Sequence, residues 1–335
     1  MTFAKKALIF GTTAAIAAGA TSFAIPALAQ ATISGAGASF PNAIYQRWAV
    51  EYAREKNAKV NYQSVGSGAG VRQYLAGTVD FGGTDEELKA ADFTKGSAGS
   101  RGVVQIPMVG GTVTPAYNNP SCQNLKLTQQ QVADIFLGKI TTWEQLKCGK
   151  GKITTAHRSD GSGTTYVFTN SLSCFSNEWK SKVGKGKAVK WPVGVGGKGN
   201  EGVAGVIGNT PGSIGYLNQA YVKGRIKAAA VQNKAGRFVM ANDATGAVAL
   251  NGIKLDANLG GEECNPAGAN AFPIASFTWI LAYQKGNGAK ASAIRNYLLW
   301  ALSPKAQKMA AELDYVPLKG DVLKRAKAAV AKIGQ

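Results

Sequence analysis

Apolar residues recur along this chain in two alternating rhythms. Val60-Asn61-Tyr62-Gln63 alternates apolar and polar positions, the period of a half-buried strand. Val103–Val109, Val113–Tyr117 and Phe277–Tyr283 read as buried strands, and Lys152–Ala156 as a further one. Between them the spacing changes to that of helices. Ile44, Tyr45, Trp48, Ala49 and Tyr52 mark one stripe, Val71, Tyr74 and Leu75 a second, and Phe168, Leu172 and Phe175 a third. Thr128 followed by Gln131 predicts a capping box for a helix carrying Val132, Ile135 and Phe136 and closed by Gly138. Ser303-Pro304 predicts another helix start. Val322–Ile333 predicts a basic amphipathic helix docked on the surface. Strands alternating with helices predict an α/β architecture, and no internal repeat is visible.

The N-terminus follows neither rhythm. Lys5 and Lys6 precede an apolar run from Ala7 to Ala24, and Ala27-Leu28-Ala29 offers a small-x-small cleavage site before Gln30. Residues 1–29 therefore read as a secretory signal peptide rather than a retained membrane anchor. No cysteine at the cleavage point suggests a lipid anchor. The formal charge of +19 falls to +17 when Lys5 and Lys6 leave with the signal peptide. That excess is spread over residues 180–190, 223–237 and 319–332, as on a solvated basic surface that can also steer small anions. No nucleic-acid module or basic-aromatic array accompanies it, so nucleic acid is not expected as a partner. In an exported protein four cysteines suggest two disulfides, and four cysteines allow three pairings. Sequence proximity favours Cys122–Cys148, leaving Cys174–Cys264. With no C-x-x-C spacing and one histidine, a zinc site is not expected, nor any other metal or cofactor.

The candidate chemistry lies in Arg158-Ser159-Asp160-Gly161-Ser162-Gly163-Thr164-Thr165, an arginine and a glycine-serine loop opening the helix of Phe168. A guanidinium forks onto two oxygens, glycines let N–H groups turn inward, and a helix start adds free N–H groups and a positive dipole end. Ser34–Phe40 and Ser64–Gly70 repeat the device, each opening a helix. Three such loops suggest one convergent oxyanion site, although local sequence does not show that they meet. Gly194-Val195-Gly196-Gly197-Lys198-Gly199 matches G-x-G-x-x-G, but the acidic residue wanted about 20 positions on is missing, so it reads as a glycine turn before a helix. No glycine loop is closed by Gly-Lys-Ser/Thr, so a complete P-loop is absent. A serine hydrolase would use Ser162 with His157, yet nothing places that histidine against a serine with an acid behind it.

These motifs resemble the periplasmic phosphate-binding proteins of bacterial phosphate-specific ABC transporters. Gly35-Ala36-Gly37-Ala38-Ser39-Phe40-Pro41 is similar to that family's first binding loop, and Val60–Ser67 to its second. Val79-Asp80-Phe81-Gly82-Gly83-Thr84-Asp85 resembles the segment ending in its ligand-facing aspartate, and Arg158–Thr164 its main anion loop. Trp191–Gly202 resembles a structural stretch of the same family. The resemblance runs in order over nearly the whole chain beyond residue 29. It implies a two-lobed type II binding-protein fold, two mixed-sheet α/β lobes joined by two crossing segments. Lobe I would hold residues 30–116 and 276–335, lobe II residues 117–275, with the ligand in the cleft between them. It further implies a monomeric, non-enzymatic periplasmic receptor that passes inorganic phosphate to a membrane-embedded ABC permease.

Carried over position by position, the resemblance implies hydroxyl and N–H donors from Ser39 and Ser67 and an N–H from Phe40. Ser162, Gly163 and Thr164 would offer N–H groups, with hydroxyls from Ser162 and Thr164. Arg158 would be the one charged donor, its fork held by Asp160. Thr84-Asp85-Glu86-Glu87 departs from the family's usual small-Asp-small-Pro run, so the loop shape there is expected to differ. Asp85 would set selectivity, because an ionised carboxylate only accepts hydrogen bonds and phosphate still has a proton to donate. The alternatives are a receptor for another oxyanion such as sulfate or molybdate, or a secreted phosphatase or serine hydrolase.

Overall fold

The computed structural model describes residues 1, 2 and 32–334; residues 3–29 of the expected signal peptide lie outside the described residues. In chain order the strands are β1 (Ile33–Gly37), β2 (Val60–Ser64), β3 (Phe81–Thr84), β4 (Val103–Asn118), β5 (Lys126–Leu127), β6 (Thr154–Arg158), β7 (Val195–Gly197), β8 (Ser213–Asn218), β9 (Lys227–Ala228), β10 (Ala230–Gln232), β11 (Phe238–Val239) and β12 (Ala275–Tyr283). The helices are α1 (Asn42–Lys56), α2 (Ser67–Ala76), α3 (Gly96–Arg101), α4 (Gln129–Phe136), α5 (Gly163–Phe175), α6 (Asn177–Lys182), α7 (Gly199–Asn209), α8 (Asp243–Leu250), α9 (Ala291–Ala301), α10 (Pro304–Ala311) and α11 (Gly320–Val330). Among the described residues none of these is long and apolar enough to cross a membrane.

The main sheet runs β2-β1-β3-β12-β4-β8-β6-β7, and β5, β10 and β11 form a small second sheet. Its pivot is β4. Up to Thr112 that strand pairs antiparallel with β12, and from Val113 onward with β8. One strand therefore belongs to two half-sheets, β2-β1-β3-β12 on one side and β8-β6-β7 on the other. Within each half, β1 is parallel to β2 and β3, and β6 is parallel to β7 and β8.

The predicted stripes are the buried faces. Ile44, Tyr45, Trp48, Ala49 and Tyr52 are all buried on α1, and the Thr128–Gln131 capping box is formed at α4. Ser303 caps α10, with Pro304 at its first position. Helix α5 is buried on nearly every side, so its three-residue stripe understated its burial. Strand boundaries differ from the sequence expectation, by one residue at the end of β2 and two at the start of β12, and more instructively in β4 and β6. Val103–Val109 and Val113–Tyr117 are one continuous strand, because Gly110 and Gly111 stay in the ladder rather than turning. A Cβ at Gly110 would fall 2.1 Å from Leu250, and one at Gly111 would fall 2.7 Å from the Phe40 ring. Strand β6 begins and ends two residues later than predicted, since Arg158 pairs with Gly197 of β7. Both favoured disulfides, Cys122–Cys148 and Cys174–Cys264, are present.

Candidate functional site

Parallel strands point their carboxyl ends the same way, and loops leaving those ends share one crevice. Here β1, β2 and β3 run with β4, and β6 in the other half-sheet runs against it, so the two sets of carboxyl ends face each other across the pivot. They end in segments singled out above: Ser39-Phe40, Ser67, Asp85 and Arg158–Thr164. The three glycine-serine loops do meet. The Gly68 N–H donates to the Gly161 carbonyl at 2.8 Å. A Cβ on Gly163 would lie 2.5 Å from Ser67 Oγ and 2.6 Å from the Asp85 Cβ, so the start of α5 is pressed against both. Ser39, Phe40, Ser67, Asp85, Arg158, Ser162 and Thr164 are all buried.

Arg158 is fixed by its protein neighbours. Its Nε and Nη2 donate to the two Asp160 oxygens at 2.8 and 2.6 Å, and its own N–H donates to Tyr216 Oη at 3.0 Å. Nη1 turns to Thr164 Oγ1 at 3.3 Å, which leaves that edge of the fork facing the loops. Asp160 is partly desolvated, yet the Arg158 guanidinium and the Gly199 N–H hold its carboxyl below the usual aspartate range.

The helix starts supply the remaining donors. Among the described residues the N–H groups of Ser67, Gly163 and Thr164 have no partner, as the first N–H groups of a helix normally do not, and neither does that of Phe40 in the turn before α1. Ser162 corrects one expectation. Its N–H is already taken by the Lys187 carbonyl at 2.8 Å, and its Oγ accepts from the Thr165 N–H as the cap of α5. Only its hydroxyl hydrogen remains to offer.

Asp85 is the acceptor in this ring of donors. Oδ1 accepts from Thr278 Oγ1 at 2.7 Å, whereas Oδ2 is buried with no hydrogen-bond partner. Burial pushes the carboxyl up to about 7, against the pull of Thr278, Arg158, Ser67 and Thr164. A buried acceptor left unmet costs about 1–3 kcal/mol, and more when it is charged. Oδ2 is therefore an acceptor that lacks a donor hydrogen.

Sequence reasoning missed three residues. Asn200, at the start of α7, donates through its N–H and its side-chain amide to Ser39 Oγ, both at 2.9 Å, and through the amide to Thr164 Oγ1 at 3.0 Å. It thus ties the first loop to the third. The signal was present, since Gly197-Lys198-Gly199-Asn200 is itself a glycine segment between a strand and a helix. Thr278 sits mid-strand in β12, and Tyr216 in β8, where nothing local distinguishes either from core residues.

The competing motifs find structural explanations. The glycine run at 194–199 opens α7, but that helix start faces the Asp160 carboxylate through the Gly199 N–H at 3.0 Å. A protein carboxylate already occupies the place where a dinucleotide pyrophosphate would sit. His157 stacks on Trp191, with ring centroids 4.9 Å apart, and its Nδ1 lies 3.1 Å from the Arg158 carbonyl. The Ser162 hydroxyl is engaged as a helix cap, so neither residue is arranged as a nucleophile and its base.

Comparison with known proteins gives a consistent picture. The PBP superfamily domain matches residues 24–305. A phosphate-binding protein PstS from Pasteurella multocida is 40% identical over 324 residues, 92% of this chain and 92% of that protein. One from Haemophilus influenzae is 41% identical over 307 residues, 87% of this chain and 90% of its own. Among solved structures, the phosphate-binding protein from Stenotrophomonas maltophilia superposes with a TM-score of 0.67 at 19% identity, covering 89% of this chain and 94% of that one.

Proposed function

The chain belongs to the PBP superfamily and, within it, to the PstS-type phosphate-binding proteins, and from that membership we propose that it captures inorganic phosphate and delivers it to an ABC importer. The observation that carries the choice of ligand is Asp85 Oδ2, a buried carboxylate oxygen without a donor inside a ring of donors. Phosphate at neutral pH retains a proton for it. Sulfate has none and would set its charge against that oxygen. Sites that hydrogen-bond a particular ligand hydrogen reject analogues lacking it by large factors.

In this reading the N–H groups of Phe40, Ser67, Gly163 and Thr164 and the hydroxyls of Ser39, Ser67, Ser162 and Thr164 surround the anion. Arg158 supplies the one charged donor, held in place by Asp160. Residues 30–116 and 276–335 form lobe I and residues 117–275 form lobe II. The change of partner along β4 suits a flexing point between them. Phosphate touches loops of both lobes and so favours the closed arrangement. The protein performs no chemistry on its ligand. It works as a monomer in the periplasm once residues 1–29 are removed, with a membrane-embedded permease as its partner.

Calorimetric titration of the mature protein with phosphate and with sulfate tests this. Phosphate is expected to bind at least about 100-fold tighter. Equal affinities would overturn the assignment of the ligand.

A further inference from the structure

We propose that Glu86 and Lys187 form an ion-pair latch across the cleft that slows the release of bound phosphate; the proposal rests on the receptor reading above. Glu86 directly follows Asp85 at the end of β3. Thr84 Oγ1 donates to the Glu86 carbonyl at 2.7 Å and accepts the Glu86 N–H at 3.2 Å, so the residue cannot swing freely. Its side chain is only 3% exposed. Lys187 belongs to the other side of the pivot, in the segment between α6 and β7. That segment is anchored to α5 by the Gly186 N–H, which donates to Thr169 Oγ1 at 3.1 Å.

Lys187 joins both walls of the site. Its carbonyl holds the Ser162 N–H, which shapes the anion loop, and its Nζ lies 2.7 Å from Glu86 Oε2. The approach is too oblique for a hydrogen bond, so the contact is Coulombic. Glu86 also has a partner on its own wall, Lys89, at 3.6 Å from Oε1. If the walls part, Glu86 keeps Lys89 and gains water, and only the Lys187 contact is lost. With one partner almost fully buried, the pair is less screened than a surface ion pair. It stabilises the closed state specifically and therefore acts on release rather than capture.

A latch and a simple field effect give opposite signs at Glu86. If charge acted only at long range on the anion, Lys187→Met would weaken phosphate binding and Glu86→Gln would strengthen it. A latch needs both members, so either substitution speeds release. The test uses mature protein loaded with radiolabelled phosphate and chased with unlabelled phosphate, with association rates measured alongside. Both single variants are expected to release phosphate about 10-fold faster, the double variant no faster than either, and association to change about twofold at most. Slower or unchanged release in Glu86→Gln, or additive effects in the double variant, would overturn the latch. Should Glu86→Gln fail to fold, Lys187→Met still decides, because a latch speeds release with association nearly unchanged, whereas a long-range field would slow association as well. Unmodified protein that binds no phosphate would overturn the receptor reading and the latch with it. Normal binding with unchanged release in the variants would overturn the latch alone.

Discussion

Replacing Asp85 by Asn should stabilise the ligand-free protein, and increasingly so as pH rises from about 4 to about 8. The folded structure raises this carboxyl from 3.8 to about 7, chiefly by burial. A group whose folded pKa lies above its unfolded value contributes stability that is fully present below the unfolded pKa and lost as pH rises through the folded one. Asp85 should therefore cost the folded state almost nothing at about pH 3, below the unfolded value, and progressively more up to about pH 8. An elevation of about three pH units, at about 1.4 kcal/mol each, sets an upper figure of about 4 kcal/mol. Asparagine keeps an oxygen that can accept from Thr278, and it carries no charge to desolvate. Arg158 is not orphaned by the change, since its fork rests on Asp160. The assay is urea unfolding followed by tryptophan fluorescence, for which buried Trp48, Trp143, Trp179 and Trp279 provide the signal. The two proteins should be nearly equal in stability at about pH 3 and separate by about 2–4 kcal/mol at about pH 8. Comparing them cancels the pH response of every other group. Phosphate should add less stability to the variant than to the unmodified protein. Parallel stability curves across that range would refute the account of Asp85 as a buried, unmet charge.

Gly163→Ala introduces a Cβ 2.5 Å from Ser67 Oγ and 2.6 Å from the Asp85 Cβ. Phosphate affinity should fall by about 100-fold or more in calorimetry, since a displacement of about 1 Å at such a site has effects of that size; affinity within threefold of the original would count against the close contact. Asp160→Asn should weaken the grip on Arg158 and the start of α7, destabilising the protein by about 1.5–3 kcal/mol at neutral pH in denaturant titration. Its carboxyl is held low, so this contribution is present above the unfolded aspartate pKa and lost as pH falls through the folded one; the gap between variant and parent should shrink in acid. Removing the Cys174–Cys264 bridge, which spans 90 residues, should cost about 4.6 kcal/mol, against about 3.5 for the 26-residue Cys122–Cys148 span. Paired Cys→Ala variants compared by urea unfolding would show whether that order holds.

Much of the site was visible as separate pieces. Glycines, small hydroxyls and helix starts are local features, so the loops around Ser39, Ser67 and Ser162 could be read directly from the chain. Their helices followed from apolar spacing, and the α4 capping box from two residues three apart. The Gly110-Gly111 pair misled because glycine usually interrupts a strand, whereas here it admits Leu250 and the Phe40 ring against β4. That requirement comes from residues distant in the sequence, and periodicity carries no trace of it.

Taken alone, the sequence determined which segments become strands and helices, which loops present N–H groups, and where the charged donor and the acidic acceptor stand in the chain. These depend on residues within a few positions of one another. Tertiary structure decided which of them meet. Asn200 joins Ser39 to Thr164, Thr278 faces one oxygen of Asp85 while the other lacks a partner, and Lys187 reaches Glu86. Each of these depends on elements far apart in the chain that the half-sheets sharing β4 bring together. The elevation of Asp85 likewise arises from the desolvation those elements impose together, and no one segment encodes it.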